Sequence, residues 1–351
     1  LFSSLTSIDI GTRNIKIVQG SKRGKNVVIK KVVTIPTPPA SFNEGTVVNA
    51  EAIAQSIGMA IERFGLKVSN IVFTSSSTQV ILRKMTIPMS DKQDAETMVK
   101  FELDQYLHID IENYIIKYIE NGFTEEEGIK KQKMMVAVYP RNMADGYRSI
   151  AKIMGKRPYA LDINSNCVSK LFKHDTSIND EIYNADITSA VIDIGYYYVD
   201  INIISNGQID FQRLIPLGTR LCIASAAKDV GVSDAYIEKK LMEEYHLYSD
   251  ENSDSTELII DNAVRTNLEN LMGEIQRVFQ YYKNSKPGNN IDKILIHGGG
   301  AKLKGLDTYM QDALQMPIER IKNMGNVIID KNIENVEITG LLNAVGALIR
   351  L

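Results

Sequence analysis

The sequence predicts a duplicated α/β protein carrying an inserted α+β subdomain, and three observations support that prediction. The run Ile8-Asp9-Ile10-Gly11 returns as Ile192-Asp193-Ile194-Gly195, each time followed by two further strand-like segments. After each triple of strands the apolar spacing changes from a period of two to the helical period. Between the copies, from Met85 to Arg157, lies a stretch with a helix and strand pattern of its own.

In the first copy Ile8 and Ile10 alternate with polar neighbours, Gly11-Thr12-Arg13-Asn14 interrupts, and Ile15 and Ile17 resume the alternation. Val27 to Ile35 follows the turn Ser21-Lys22-Arg23-Gly24, and Pro36-Thr37-Pro38-Pro39 predicts an extended linker because proline removes donors and disfavours helix before it. Ala50 to Phe64 has helical spacing. Within the insert the pattern predicts a helix over Asp91 to Tyr106, a strand near Tyr114 to Glu120, and a charged turn from Thr124 to Lys133. A strand, Met134 to Tyr139, and a helix, Asn142 to Met154, complete it. Lys130-Lys131-Gln132-Lys133 is expected as a solvated turn and Met134-Met135 as core.

In the second copy Val191 to Ile194 leads through Gly195-Tyr196-Tyr197-Tyr198 to Val199 to Ile204. Asn206-Gly207 then turns the chain into Ile209 to Ile215, since Asn-Gly between two such runs is a strong hairpin signal. Ala224 to Val230, Ser233 to Tyr245 and Leu258 to Tyr282 have helical spacing, with the polar stretch Ser249 to Thr256 expected as a surface loop. Lys293 to His297 is a short apolar run ending in Gly298-Gly299-Gly300.

Composition narrows the function classes. The 351 residues are enough for about two domains at roughly 150 residues each. A net charge of −3 with 44% hydrophobic residues describes an ordinary globular chain, whereas a nucleic-acid binder would carry a basic surface. Cys167 and Cys222 form no C-x-x-C, so no cysteine zinc site or disulfide scaffold is supported and a reducing cytoplasm is the expected setting. No apolar run approaches the roughly 18 residues of a membrane span, and Leu1-Phe2-Ser3-Ser4-Leu5 lacks the make-up of a signal peptide. A start at Leu1 leaves room for a short preceding segment. His108, His174, His246 and His297 show no metal-ligand spacing. Gly20 to Lys25 falls one residue short of a P-loop, with Asn26 where a Mg²⁺-holding hydroxyl belongs.

The remaining chemistry is phosphate chemistry. A strand ending in Asp-Gly and a tight turn exposes backbone N–H groups to an anion, while the aspartate can hold hydrated Mg²⁺ against it. Two such turns, at Asp9 and Asp193, make a clamp. Three consecutive glycines at 298–300 let the backbone approach a flat ligand closely. Glu274 and Arg277, at i and i+3 on a helix whose buried stripe is Leu268, Leu271, Ile275 and Val278, form a candidate pair on one side.

This combination resembles the actin-like ATPase superfamily, with its duplicated ribonuclease H-like fold. Asp9-Ile10-Gly11-Thr12-Arg13-Asn14-Ile15-Lys16 is similar to its first phosphate motif, Asp193-Ile194-Gly195 to its second, and Gly298-Gly299-Gly300-Ala301-Lys302-Leu303 to its adenosine motif. The resemblance implies ATP and Mg²⁺ as cofactors. It places Asp9 and Asp193 on the metal through water, and Gly11, Thr12, Arg13, Asn14, Lys16, Gly195 and Tyr196 on the phosphates. It places Glu274, Arg277, Gly298, Gly299, Gly300, Lys302 and Leu303 on the nucleoside. Asp162, in the connecting segment Ala160-Leu161-Asp162-Ile163-Asn164, is implied as the residue that positions the attacking water. One departure is Tyr196-Tyr197-Tyr198 where the superfamily has small or hydroxylated residues. The rings either crowd the γ-phosphate pocket or alternate between core and solvent, and ATP binding with at most slow hydrolysis is the expectation.

Within the superfamily the closer resemblance is to the PilM family of type IV pilus assembly proteins, and next to FtsA-type division proteins. Glu102-Leu103-Asp104-Gln105-Tyr106-Leu107 and the return from Lys156 to Asp162 look PilM-like, and the run from Gly340 to Arg350 resembles a last core helix. That resemblance implies a cytoplasmic protein at the inner face of the cell membrane, reaching it through partners. It implies binding of the cytoplasmic N-terminal tail of PilN beside the insert, with self-association into a ring or filament as a further implication. The other readings are an FtsA-like membrane tether, a nucleotide-free pseudo-ATPase scaffold, and a sugar or metabolite kinase. The expected division is a first lobe of residues 1–85 and 158–187, an insert of 86–157, a second lobe of 188–217 and 290–351, and a helical subdomain of 218–289.

Overall fold

In a computed structural model the described residues are 4–107, 110–126, 128–173, 175–247, 255–333 and 336–350. His108, His174 and most of the loop expected at 249–256 lie outside them.

The first copy begins as a β-meander of β1 (Leu5–Ile10), β2 (Asn14–Arg23) and β3 (Asn26–Pro36). A small hairpin, β4 (Phe42–Asn43) and β5 (Thr46–Val47), leads into α1 (Ala50–Arg63), whose N-cap Asn49 accepts a hydrogen bond from the Ala52 amide. β6 (Asn70–Ser75) then lies parallel to β1. After the insert, β10 (Arg157–Ile163) adds parallel to β6, and α4 (Asn164–Ser169) starts directly from its end. The sheet runs β10-β6-β1-β2-β3 and ends on a short strand from late in the chain, β18 (Val327–Ile329), so β10 is an edge strand.

The insert is a three-stranded antiparallel sheet in the order β7-β9-β8, formed by β7 (Ile81–Pro88), β8 (Tyr114–Glu126) and β9 (Ile129–Pro140). Helix α2 (Lys92–Leu107) covers one face with Ala95, Val99 and Leu103, against Met85, Met134 and Val136. Helix α3 (Arg141–Ile153) returns the chain to the first sheet through Tyr147 and Ile150. The turn expected from Thr124 to Lys133 is instead the far end of the β8–β9 hairpin, with Glu125 paired to Lys130 and Glu126 to Ile129. Both arms are largely solvated there, so no apolar alternation marks them. Gln132 is buried and hydrogen-bonds Ser90, while Met134 and Met135 are core as expected.

After the small hairpin β11 (Ser177–Ile178) and β12 (Glu181–Ile182), the second copy repeats the plan. It comprises β13 (Ser189–Ile194), β14 (Val199–Ser205), β15 (Gln208–Ile215), β16 (Lys293–His297) and β17 (Ile318–Arg320), in the order β15-β14-β13-β16-β17. Helices α5 (Arg220–Val230), α6 (Asp234–Glu243), α7 (Ser255–Ser285) and α8 (Leu306–Leu314) cover its outer face. Two segments within the expected 290–351 portion of the second lobe pack on the first: β18 (Val327–Ile329) hydrogen-bonds β3, and α9 (Leu342–Ala347) packs on α4.

The residues of α9 are all buried, and a Cβ on Gly346 would collide with the Cys167 carbonyl, so only glycine lets α9 approach α4 this closely. Around this contact one core joins the two sheets, with Leu5, Val18 and Val72 from the first and Val191, Ile204 and Leu295 from the second. Burying each such aliphatic side chain contributes roughly 1.5–3 kcal/mol, so the lobes are fastened at their backs. Their strand ends are left to form a cleft.

Candidate functional site

Strand alternation places a pair of charged side chains from each meander at that cleft. Asp9 pairs with Lys16 across β1 and β2, and Asp193 pairs with Asp200 across β13 and β14, at matching positions. A cavity of about 690 Å³ opens between them, within the range of small-ligand sites. Asp9, Lys16, Asp193 and Asp200 all line it.

Asp9 is held from two sides: Thr74 donates to Oδ1 at 2.9 Å and the Lys16 ammonium lies 3.2 Å from Oδ2. Burial alone would lower the Lys16 pKa, but the charges of Asp9 and Asp193 outweigh it and raise it. Lys16 is therefore a fixed cation serving both lobes. Asp193 accepts from Asn343 at 2.8 Å. Asp200, fully buried, accepts from Gln212 at 2.6 Å and from Ser76 at 3.0 Å. Its pKa is pushed up to about 7, by burial first and by the charge of Asp193, against the opposing hydrogen bonds. His297, opposite Asp193 on β16, is driven down by burial and stays neutral at pH 7 despite the nearby carboxylates. A Cβ on Gly298 would collide with Asp193 Oδ1, and φ there is 96°, so glycine is needed for the strand end to lie against that carboxylate.

The turns are built alike. The Gly11 amide closes its turn onto Asn14 O at 3.0 Å and the Gly195 amide closes its own onto Tyr198 O at 2.9 Å. These two amides are thus spent on the turns, leaving the anion-facing part to the residues that follow. Thr37, expected within a plain linker, braces the first turn by donating through its hydroxyl to Gly11 O at 2.6 Å and through its amide to Arg13 O at 3.0 Å. Arg13 crosses the mouth to Glu238 on α6, donating from Nε at 2.9 Å and from a second nitrogen. Its guanidinium lies 5.8 Å from the centre of the Tyr196 ring, and Arg220 lies 4.5 Å from that of Tyr197. All three tyrosines, 196 to 198, line the cleft and are half-buried.

Of the residues predicted from sequence, the cleft brings together Asp9, Gly11, Thr12, Arg13, Asn14, Lys16, Asp193, Gly195, Tyr196, Gly299, Gly300 and Lys302. Gly298 stands behind Asp193, and Leu303 is buried in the second core. Glu274 and Arg277 pair with each other at 2.6 Å on the outer side of α7 and do not line the cavity. Asp162 also stands outside it. Its Oδ1 accepts from the Ile163 amide and Asn166, and its Oδ2 from Lys170 and Arg350, so no lone pair is left for a water to be activated. Two residues on, Asn164 lines the cleft with an Oδ1 that is buried and has no protein partner. Sequence reading missed Asn164, Ser76, Asp200, Glu238 and Asn343. The register of Asp200 against Asp193, mirroring Lys16 against Asp9, was the available signal for one of them.

A second cavity, of about 410 Å³, lies between the insert and the first sheet. Leu82, Ile115, Met135 and Tyr139 line it from the insert face that α2 leaves uncovered, and Pro158 to Ile163 of the β10 edge form the facing wall. Its lining is mainly apolar, as a peptide groove would be.

No group of three or more potential metal ligands clusters among the described residues. Two carboxylates from matched turns, a fixed lysine, an orphaned amide oxygen and a glycine-lined wall suit a hydrated cation with a polyphosphate. No helix among the described residues is long and apolar enough to cross a membrane.

A family model described as type IV pilus assembly protein PilM matches residues 7–346. Among solved structures, one described as a PilM-PilN type IV pilus biogenesis complex superposes with a TM-score of 0.81 at 20% identity, covering 99% of this chain and 98% of that one. The ethanolamine utilization protein EutJ from Carboxydothermus hydrogenoformans gives 0.57 at 14% identity, covering 99% and 89%. MreB5 of Spiroplasma citri bound to ADP gives 0.54 at 12%, covering 98% and 94%. The fold is the actin-like one expected from the paired Asp-Ile-Gly turns.

Proposed function

The chain belongs to the type IV pilus assembly protein PilM family, and on that premise we propose that it is an ATP-binding adaptor of the pilus machine, working at the cytoplasmic face of the inner membrane. The observation that carries the nucleotide half is the matched pair of carboxylate turns, Asp9 and Asp193, facing one cleft with Lys16 between them. In this reading Asp9 and Asp193 hold hydrated Mg²⁺, which when bound neutralises phosphate charge. Lys16 and the turn residues Thr12 to Asn14 and Tyr196 grip the phosphates. Gly299, Gly300 and Lys302 meet the nucleoside. Asn164, rather than Asp162, is the polar residue placed to orient a water.

The partner half rests on the apolar groove beside the insert. There the free edge of β10 offers main-chain groups to an extended segment, and alternate side chains of that segment would enter pockets lined by Leu82, Ile115 and Tyr139. We assign this groove to the cytoplasmic N-terminal tail of PilN, supported by the family membership and by the resemblance to a structure described as a PilM-PilN complex. Membrane association then runs through the partner.

Thermal unfolding with and without Mg-ATP tests the first half, since ligand at about 100 times its Kd adds roughly 2.7 kcal/mol to the native state. A melting temperature unmoved by millimolar Mg-ATP, with a synthetic PilN tail still bound, would leave a nucleotide-free scaffold instead.

A further inference from the structure

The end of the first lobe that points away from the cleft is basic. Between Asp9 and Glu44, between Glu62 and Asp91, and between Asp145 and Asp162, every charged residue is Lys or Arg. The fold brings part of each stretch to one place. Strands β1, β6 and β10 run parallel, so their first residues, Leu5, Asn70 and Arg157, share the end of the sheet opposite the Asp9 turn. The β2–β3 turn lies there too, because Leu5 pairs with Gly20 and the hairpin runs on to Arg23. Helices α1 and α3 pack side by side, and each stops at the same end, just before the strand it feeds.

Three contacts fasten these segments together. The Gln19 side chain donates to Lys67 O at 3.0 Å, and the Arg157 amide donates to Ser69 O at 3.3 Å. The Lys31 ammonium donates to Phe64 O at 3.2 Å and Gly65 O at 2.9 Å, covering carbonyls at the negative end of α1 that would otherwise repel an anion. Arg23, Arg63, Lys67, Lys152 and Arg157 are exposed. Glu62 borders the face, and Asp175 pairs with Lys25 of the hairpin at 2.9 Å. Among the cations stand two apolar side chains at the helix ends, Phe64 and Ile153, which are 46% and 51% exposed. The Arg63 guanidinium lies 5.5 Å from the centre of the Phe64 ring, so charge and ring are presented together.

We propose that this face lies directly on an anionic phospholipid surface, with Arg23, Arg63, Lys67, Lys152 and Arg157 over the headgroups and Phe64 and Ile153 entering the interface. The inference goes beyond the partner reading above, in which the membrane is reached through the occupant of the groove. Cations ringing an aromatic and an aliphatic side chain suit a headgroup layer, where phosphates meet the charges and the acyl boundary takes the apolar groups. A nucleic-acid backbone would use the charges and leave Phe64 and Ile153 in water. The groove begins at Pro158, next to Arg157, so a tail leaving it at that end arrives at the same surface. The charge argument stands without that tail. A few cations and two apolar side chains give a reversible contact that salt weakens.

Co-sedimentation with vesicles tests this on the whole protein, with neither peptide nor nucleotide present. Vesicles of phosphatidylcholine with about 30% phosphatidylglycerol are expected to bind at least about tenfold more tightly than vesicles of phosphatidylcholine alone. Raising NaCl from about 50 to about 300 mM should weaken that binding severalfold. Lys67→Glu/Lys152→Glu is expected to weaken it at least about tenfold. Lys92→Glu/Lys286→Glu makes the same change of net charge on the insert and beyond α7, and should leave it within about twofold of wild type. Phe64→Ser/Ile153→Ser alters no charge and should weaken it severalfold, which gives the second case should the charge reversal fold poorly.

Equal binding of the wild type to the two kinds of vesicle overturns the proposal, as does full binding retained by Lys67→Glu/Lys152→Glu or an equal loss in both charge-reversed pairs. A wild type that ignores anionic vesicles but forms an oligomer that Lys67→Glu/Lys152→Glu dissociates would assign the face to a second copy of the chain. Retention of a DNA duplex in place of vesicles would assign it to nucleic acid, and either result overturns the membrane contact. The groove and cleft assignments stand or fall on their own ligands and are untouched by these outcomes.

Discussion

Lys170 holds its ammonium 2.9 Å from Asp162, both side chains being less than a tenth exposed, and Arg350 reaches the same carboxylate oxygen at 2.8 Å. Burial would raise the Asp162 pKa, but Lys170, Asn166 and Arg350 outweigh it and lower it. A carboxyl lowered below its unfolded value contributes stability that is present above about pH 4 and is lost as pH falls through the folded value. Lys170→Met removes the closest partner and leaves a buried carboxylate leaning on a half-exposed arginine. Urea denaturation should show a loss of about 3 kcal/mol at pH 7. A loss under about 1 kcal/mol would mean that the knot does not fasten β10 to α4.

Lys16 feels the charge of both cleft aspartates. Lys16→Ala leaves Asp9 and Asp193 facing a polyphosphate with no fixed positive charge between them. Losing a charge-assisted hydrogen bond costs about 1.5–3 kcal/mol, so Mg-ATP affinity should fall at least roughly tenfold by calorimetry. Affinity within about twofold of wild type would place the phosphates elsewhere.

Asp200 gives the opposite pH dependence from Asp162. Its folded pKa, pushed up to about 7 by burial and by Asp193, lies above the unfolded value, so between them the native state binds the extra proton. Stability from this group is therefore greatest below about pH 4 and declines as pH rises toward 7. Asp200→Asn keeps the shape and removes the charge. Its melting temperature should exceed that of wild type at pH 8 by several degrees, and the difference should vanish near pH 4. An equal difference at both pH values would contradict the buried-charge account.

The duplication was legible because a repeated Asp-Ile-Gly at the end of an alternating strand survives as a sequence pattern. The cleft residues adjoining those turns followed from it. Which side of a strand end faces the cleft was less legible, since a shift of one residue reverses the face. At the junction of β10 and α4 the change of period from strand to helix intervenes, and Asp162, named by the family resemblance, lines the groove while Asn164 lines the cleft. Glu274 and Arg277 pair with each other on one side of α7. The buried stripe of Leu268, Leu271, Ile275 and Val278 already pointed that side away from the core and toward solvent. The β18 strand, three residues long, carries too few positions for any period to be read.

Arg13 and Glu238 join the two sides of the cleft mouth by a bidentate pair with one half-exposed partner. Such a pair contributes little to global stability, roughly 0–1 kcal/mol, but it spans the mouth through which a nucleotide bound as proposed would leave. Glu238→Gln should change the melting temperature by only a degree or two, while the dissociation rate of a fluorescent ATP analogue in stopped flow rises severalfold. An unchanged rate would reduce the pair to a surface contact.

The groove and the cleft use different side chains, so they can be damaged separately. Leu82 is half-buried, lines the groove and is absent from the cleft wall. An arginine there puts a charge onto the surface that an apolar peptide side chain must cover, and desolvating it costs several kcal/mol unless the peptide supplies a partner. Leu82→Arg should therefore weaken binding of the PilN tail by at least about a hundredfold in a fluorescence anisotropy titration. Mg-ATP affinity measured without peptide should remain that of the wild type. Peptide binding that survives the substitution would move the partner to another face of the insert, and joint loss of both ligands would show instead that the variant is misfolded, which circular dichroism of the same sample decides.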